Sequence, residues 1–325
     1  MRYQTLVPWI VLPLLPLIVG FVLLGLIDDP KTGIAPHLPG TDDLIAGNLD
    51  LIFFNAFLPY LSVTLFHVAA CIAVIVHLGQ KLLSMPKTAR DSALWIFGAT
   101  MILLVLIGVF VRSGDGTGAL NIGYRYVCMV LSSADVAGHI LPTDCTADGL
   151  SRLAWLALLP VIAGLVAAAL ASAVTSTCFA PLDATEPEEV EADLARRGAL
   201  IEQAFKAVAF VLVTSILALV IFYRLPLAFI DEDKAAAALW TGYAQGVTLY
   251  WGVLFTLTLV CIFGPGTVML NARLRESLGG LAGLSLPDSL NQQATRQQVI
   301  NILTTLAPLL IGASGSVLET IAGAL

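Results

Sequence analysis

Four side chains that can form hydrogen bonds lie at helical spacing within the apolar segment LPYLSVTLFHVAACIAVIVH, at positions 58–77. They are Tyr60, Thr64, His67 and Cys71, at intervals of four, three and four residues. At about 100° per residue, these intervals predict one narrow stripe along a helix. An imidazole in such a stripe can bond a neighbouring helix, line a path for ions or small solutes, or bind a metal or cofactor.

A second polar stripe is predicted in the apolar run at 239–263. Its members are Thr241, Gln245, Thr248, Gly252 and Thr256. Polar groups are costly against lipid, so we expect both stripes to face the interior of a helix bundle or a water-filled cavity. The residues predicted to line such a path are Tyr60, Thr64, His67, Gln245 and Thr248.

No sequence motif supports catalysis or metal binding at His67. HExxH, Gly-x-Ser-x-Gly and paired acidic residues within the apolar runs are absent. The other histidines, His37, His77 and His139, lie at or outside the ends of those runs. We therefore predict a protein that is not an enzyme and that holds neither a metal nor a cofactor. Ion-coupled carriers usually hold a charged residue at mid-depth. The candidates here are Glu319, in the C-terminal segment, and Arg224, at the outer end of a span, which disfavours a coupled carrier.

The composition is typical of a polytopic membrane protein. Of 325 residues, 58 % are hydrophobic and 12 % are charged, about half the charged fraction of a soluble domain. Apolar runs of about 18 residues or more predict transmembrane helices. We expect six such helices, at 7–27, 59–78, 93–111, 153–176, 205–223 and 239–263. The net charge of −7 gives no basic surface for nucleic acid.

The distribution of lysine and arginine predicts the orientation in the membrane. Ten of these residues fall on one side of the predicted spans and six on the other, and the richer side is expected to be cytoplasmic. Both termini are then cytoplasmic, in a bacterial-type inner (plasma) membrane. The outer loops are 28–50, 114–151 and 224–238. The second loop holds Cys128 and Cys145, a candidate disulfide or two separate thiols.

A helix is predicted at 186–204, on the cytoplasmic side and before the fifth span. Pro187 suits its first turn, and the pairs Asp193–Arg197 and Glu202–Lys206 have the i,i+4 spacing of ion pairs. The helical pattern continues into the fifth span, which predicts one helix of about 35 residues, roughly 50 Å long. It would project into the cytoplasm, lie along a neighbouring subunit or pack on the bundle's own inner face.

Two segments are predicted: a six-span transmembrane domain at 1–283 and a C-terminal amphipathic or re-entrant helical segment at 284–325. The fourth span carries small residues that permit close helix packing, namely Gly164, Ala168, Ala171 and Ser172. The predicted fold class is therefore an all-α, polytopic integral membrane protein with about six transmembrane helices.

Two functions fit this fold class. One is an oligomeric pore or passage protein for ions or small solutes. The other is a non-catalytic accessory or signalling subunit that docks a partner through its helices. In both cases the expected partners are the lipid bilayer and further copies of the chain or another membrane protein, and nucleic acid is not expected.

Overall fold

Helices account for all the regular structure in the part of the chain that the computed structural model describes. That part comprises residues 49–113, 152–177 and 187–279, together with positions 14–16, 18–20, 22, 306 and 307. Five helices are α1 (Leu49–Leu83), α2 (Lys87–Ser113), α3 (Arg152–Ser176), α4 (Pro187–Arg224) and α5 (Ala235–Gly279), with a short 3-10 helix, Leu225–Ala228, before α5. Each of the five contains a segment long and apolar enough to cross a membrane. The described part of the chain is therefore all-helical, with five candidate membrane-spanning helices, which indicates a membrane protein.

Several predicted features lie outside the described residues. Most of the first span at 7–27 is among them, as are Cys128 and Cys145 in the second outer loop and nearly all of the segment 284–325. The count of six spans, the disulfide and the C-terminal segment therefore stay predictions.

The turn between α1 and α2 is closed by local hydrogen bonds. The Ser84 hydroxyl donates to the Lys81 carbonyl oxygen at 2.8 Å, and the Met85 N–H donates to the Leu82 carbonyl oxygen at 3.2 Å. Pro86 has no N–H to extend the α1 ladder, so the helix ends before it. The chain then reverses direction into α2.

Helix α4 is the central helix of the bundle and packs against α1, α3 and α5. Within the apolar spans, 61 % of the α3 and α4 residues are buried, against 22 % in α2. Helix α2 is therefore peripheral, and it packs chiefly against α3. Small residues in the core, such as Ala204 and Ala209 of α4, let the helix axes approach closely.

The first turns of α4 pack on the bundle itself. Helix α4 runs unbroken for 38 residues, a length of about 57 Å. Leu194 and Ile201 are buried in the same apolar cluster as Leu82 and Leu270. Of the three placements that the sequence left open, the structure shows this segment on its own bundle. Its position on the cytoplasmic side stays a prediction.

Both predicted ion pairs of α4 are confirmed. An Arg197 guanidinium nitrogen lies 2.6 Å from Asp193 Oδ2, and Lys206 Nζ lies 2.6 Å from Glu202 Oε1. Each pair joins residues one turn apart, so helix geometry alone places the partners together.

The two ends of the bundle differ in character. We name the end near the α1–α2 turn, where Leu82, Ala93 and Leu194 meet, the hairpin end. The opposite end, where Phe57, Tyr223 and Trp240 pack together, is the aromatic end. There the Trp240 indole N–H donates to the Tyr223 carbonyl oxygen at 2.8 Å. Between the two ends, the outer surface is apolar and includes the exposed side chains Leu65, Phe66, Ile102 and Val105.

Candidate functional site

His67 joins three helices at a fully buried position in α1. Its Nδ1 lies 2.8 Å from Thr214 Oγ1 on α4. Its Nε2 lies 3.0 Å from the carbonyl oxygen of Pro160 on α3. We name this set of contacts the His67 junction.

The geometry assigns the proton on the ring. A carbonyl oxygen can only accept a hydrogen bond, so Nε2 must carry the hydrogen that it shares with Pro160. In the neutral ring, Nδ1 then accepts a hydrogen bond from the Thr214 hydroxyl. That hydroxyl has a second acceptor within reach, the Val211 carbonyl oxygen at 2.9 Å. Both ring nitrogens of a neutral His67 thus have a partner within reach inside the chain, and the single Thr214 hydroxyl hydrogen is shared between Nδ1 and the Val211 carbonyl oxygen.

Cys71 and Gly164 complete the junction. Cys71 Sγ lies 3.4 Å from His67 Nε2, one helical turn along α1. Gly164 lies one turn beyond Pro160 on α3, and a Cβ atom there would be 3.8 Å from Nε2. A side chain longer than alanine would meet the ring, so the glycine allows α3 to approach His67.

This arrangement favours a structural role for His67. The ring is buried, and both nitrogens already have partners. Among the described residues, no group of three or more His, Cys, Asp or Glu could hold a metal ion. A hydrogen bond between membrane helices contributes about 0.6 kcal/mol on average and about 1.7 kcal/mol at most. The junction therefore orients three helices with a modest gain in stability.

The other predicted lining residues of α1 are buried in packing at and near the aromatic end. The Tyr60 ring centroid lies 5.5 Å from that of Phe57 and 5.4 Å from that of Phe222. Thr64 is buried one turn further along α1. Tyr60, Thr64 and His67 thus remain on one face of α1, and α3 and α4 cover that face at His67.

The polar stripe of α5 does not meet this face. His67 bonds to α3 and α4, and in the part of the chain described no hydrogen bond joins it to Gln245 or Thr248. The buried Thr248 hydroxyl donates to the Ala244 carbonyl oxygen of its own helix at 2.9 Å. Gln245 is exposed on the outside of the chain. The polar stripe of α1 is therefore covered by α3 and α4 at His67, whereas Gln245 of the α5 stripe lies on the outer surface.

One exposed face of α5 carries glycines on both sides of Gln245. Gly242 and Gly246 are exposed, and a Cβ atom added to either would meet nothing within 4 Å. Leu249 and Val253 continue the same face at helical spacing and are 42 % and 41 % exposed. We name these five residues the α5 surface. Its Gly-x-x-x-Gly spacing is a common contact motif between membrane helices.

The predicted small residues of α3 lie mostly inside the bundle. Gly164, Ala171 and Ser172 are buried, and Ala168 is half-buried. The sequence did not predict a closer approach between α3 and α5, which occurs at Gly266 of α5. A Cβ atom there would lie 2.6 Å from the Thr175 methyl group of α3.

The partners of His67 were also missed, although the sequence holds a signal for one of them. Thr214 and Ser215 are the only polar residues between positions 208 and 222. A polar residue alone in a span needs a partner, so Thr214 could have been paired with His67. Nothing in the sequence marks the Pro160 carbonyl oxygen, because a backbone acceptor is present at every residue.

Two features of the molecule bear on its function, namely the His67 junction inside the bundle and the α5 surface outside it. No family model, curated protein or solved structure that was compared with this chain matches it.

Proposed function

We propose that this protein is a non-catalytic membrane subunit that associates with other membrane helices through the α5 surface, first of all with a second copy of itself. One observation carries the proposal: the Gln245 amide is exposed within the apolar span Ala235–Leu270. Hydrocarbon offers no hydrogen-bond partner to an amide, so a partner from another chain lowers its free energy. The flanking glycines allow a second helix to come close enough to supply it.

A second copy fits this surface because an amide is self-complementary. Gln245 has both donors and an acceptor, so two copies related by a two-fold axis can satisfy each other's amides. Leu249 and Val253 add apolar contact on the same face. The alternative partner is a membrane helix of a different protein that presents a polar residue to Gln245 at the same depth in the bilayer.

The proposal is tested by measuring self-association in liposomes by energy transfer between labelled copies. Gly246→Leu adds a side chain where the monomer has open space, so it blocks close approach without disturbing the fold. Gln245→Leu removes the amide. We expect each change to weaken association by about fivefold or more, since interhelical polar contacts are worth up to roughly 1–2 kcal/mol.

Gly79→Leu is the matched control. Gly79 lies on α1 and also has nothing within 4 Å of an added Cβ atom. This variant should associate like the wild type. Unchanged association in both α5 variants, or an equal loss in Gly79→Leu, contradicts the proposal.

A pore between copies is the second candidate function. It is favoured by the partly exposed Thr241 one turn before Gln245, because both residues would border an opening between neighbouring subunits. A passage through one chain is less favoured, since Tyr60, Thr64, His67 and Thr248 are all buried in packing.

Ion flux in liposomes separates the two functions. The accessory subunit leaves flux at the protein-free level, whereas the pore raises it and loses that flux in Gly246→Leu. If His67 borders the path, flux depends on pH and His67→Ala removes that dependence. The same pH profile in wild type and His67→Ala excludes His67 from conduction.

A further inference from the structure

A basic group lies at the start of α2, at the hairpin end. Lys87 is exposed, and no described carboxylate lies within ion-pair distance of it. Arg90 Nε lies 3.8 Å from Asp91 Oδ1, with side chains 35 % and 58 % exposed. Such an exposed, long ion pair is weak, so the guanidinium stays accessible to another anion.

An apolar stripe continues from this basic group along the exposed face of α2. At about 100° per residue, Leu94, Gly98 and Val105 fall within roughly 20° of Lys87 around the helix. Leu94 is 42 % and Val105 60 % exposed. Gly98 has nothing within 4 Å of an added Cβ atom, which leaves a notch in the stripe.

The far end of this stripe opens into a shallow apolar hollow. Its lining residues are Met101, Ile102, Val105 and Leu106. From Leu94 to Val105 the helix rises by about 16 Å, close to the roughly 15 Å that one leaflet contributes to the hydrocarbon core. The stripe is therefore as long as the acyl region of one lipid.

We infer that this face of α2 binds one anionic phospholipid of the bilayer. The phosphate lies on Lys87 and Arg90, and one acyl chain follows Leu94 and the Gly98 notch to the hollow. Charge complementarity selects an anionic headgroup, because basic residues beside a span attract such lipids. Trp95, which is 50 % exposed, lies where aromatic residues meet the headgroup region.

Trp95 also provides the experiment. The protein is placed in liposomes of ordinary phosphatidylcholine. In one series, increasing fractions of phosphatidylglycerol with brominated acyl chains are added, and in the other, increasing fractions of phosphatidylcholine with brominated acyl chains. Quenching of tryptophan fluorescence is measured in both series. The difference between wild type and Trp95→Phe isolates Trp95 from the other four tryptophans. We expect half-quenching at a several-fold lower fraction of the brominated phosphatidylglycerol, since each basic group near the surface favours it by about fivefold.

Paired charge variants decide whether the two basic residues are responsible. Lys87→Gln combined with Arg90→Gln should abolish the preference, and Lys87→Gln alone should reduce it, which keeps the test valid if the double variant does not fold. Arg196→Gln is the control: Arg196 lies at the same end, 68 % exposed and 2.6 Å from Asp193, and its variant should keep the preference.

Three results would overturn the inference. The first is equal quenching of the wild type by the two brominated lipids. The second is a preference for phosphatidylglycerol that survives both in Lys87→Gln alone and in the double variant. The third is a loss of that preference in Arg196→Gln as large as the loss in the double variant. Excess inorganic phosphate should leave the quenching unchanged, because the acyl chain supplies part of the binding. Loss of the preference in phosphate would indicate a site for free phosphate and would also overturn the inference.

Discussion

At the scale of single residues, His67 uses its two ring nitrogens to join neighbouring helices. Each nitrogen has one partner, Thr214 Oγ1 at 2.8 Å and the Pro160 carbonyl oxygen at 3.0 Å. A polar side chain inside a bundle is costly unless it is bonded, so these contacts favour one rotational setting of α1 against α3 and α4.

We expect His67→Ala to lower the free energy of unfolding by about 1–3 kcal/mol, because two hydrogen bonds and the packing of the ring are lost. Thr214→Val keeps the side-chain shape and removes the hydroxyl that lies within reach of both His67 and the Val211 carbonyl oxygen, so its effect should be about 0.6–1.7 kcal/mol. Denaturation in detergent, followed by circular dichroism, measures both.

The double variant tests whether these residues act on each other. If they share a bond, Thr214→Val should cost less in the His67→Ala background than in the wild type. Strictly additive effects would show that the two side chains stabilise the bundle independently, contrary to the assigned geometry.

At the scale of helices, Arg197 fastens the first turns of α4 to the end of α3. Its guanidinium bonds Asp193 and also donates to the Thr177 carbonyl oxygen at 3.1 Å. The Arg197 and Asp193 side chains are only 12 % and 16 % exposed. The pair is therefore screened less than a surface ion pair.

We expect Arg197→Gln to destabilise the protein by about 1–3 kcal/mol, since Asp193 loses its half-buried partner and keeps only the exposed Arg196, and the Thr177 carbonyl oxygen loses its donor. Hydrogen exchange measured by mass spectrometry should increase in the first turns of α4. Arg196→Gln is the adjacent control, and it should cost about 0–1 kcal/mol because the Arg196 side chain is 68 % exposed and Asp193 keeps Arg197. Equal effects of the two changes would argue against a special role for Arg197.

Close packing between α3 and α5 depends on Gly266. Gly266→Ala places a Cβ atom 2.6 Å from the Thr175 methyl group, so the helices must separate, at a cost of about 1–3 kcal/mol. Thr175→Ser removes that methyl group and keeps the hydroxyl that donates to the Ala171 carbonyl oxygen. We therefore expect Thr175→Ser to rescue Gly266→Ala in thermal denaturation.

The control for this pair is Gly79→Ala on α1, where an added Cβ atom meets nothing within 4 Å. It should be neutral or slightly stabilising, because alanine favours a helix over glycine by about 1 kcal/mol. If Thr175→Ser fails to rescue Gly266→Ala, the cost has another source than this contact.

At the scale of the whole molecule, the bundle separates two chemically different ends. Lys87 and Arg197 lie at the hairpin end, whereas Asp233 lies in the turn before α5, beside the aromatic end. The excess of lysine and arginine predicts that the hairpin end and the C-terminus are cytoplasmic, and that Asp42, Asp144 and Asp233 are external.

We expect Lys87→Cys to be labelled only after the cells are opened, and Asp233→Cys to be labelled from outside intact cells by a membrane-impermeant thiol reagent. Both changes are made in a background without the native cysteines. Arg196→Cys is a second reporter of the hairpin end, because Arg196 is 68 % exposed. Labelling of position 87 or 196 from outside would reverse the predicted orientation.

Features that depend on residues close together in the sequence could be predicted from the sequence. The helical membrane class follows from the long apolar runs, because a segment in hydrocarbon must satisfy its backbone hydrogen bonds internally. The start of α4 near Pro187, its continuation through the fifth span and its two i,i+4 ion pairs also followed from local spacing. In each case helix geometry fixes the distance between the groups involved.

Features that depend on which helices are neighbours needed the tertiary structure. Periodicity placed His67 on one face of α1, but its partner Thr214 is 147 residues away, and no local rule pairs them. The same limit applies to Gln245, which the polar stripe predicted to face the bundle interior or a water-filled cavity and which lies exposed on α5. A helical period tells which side chains share a face, whereas only the packing of the bundle decides what covers that face.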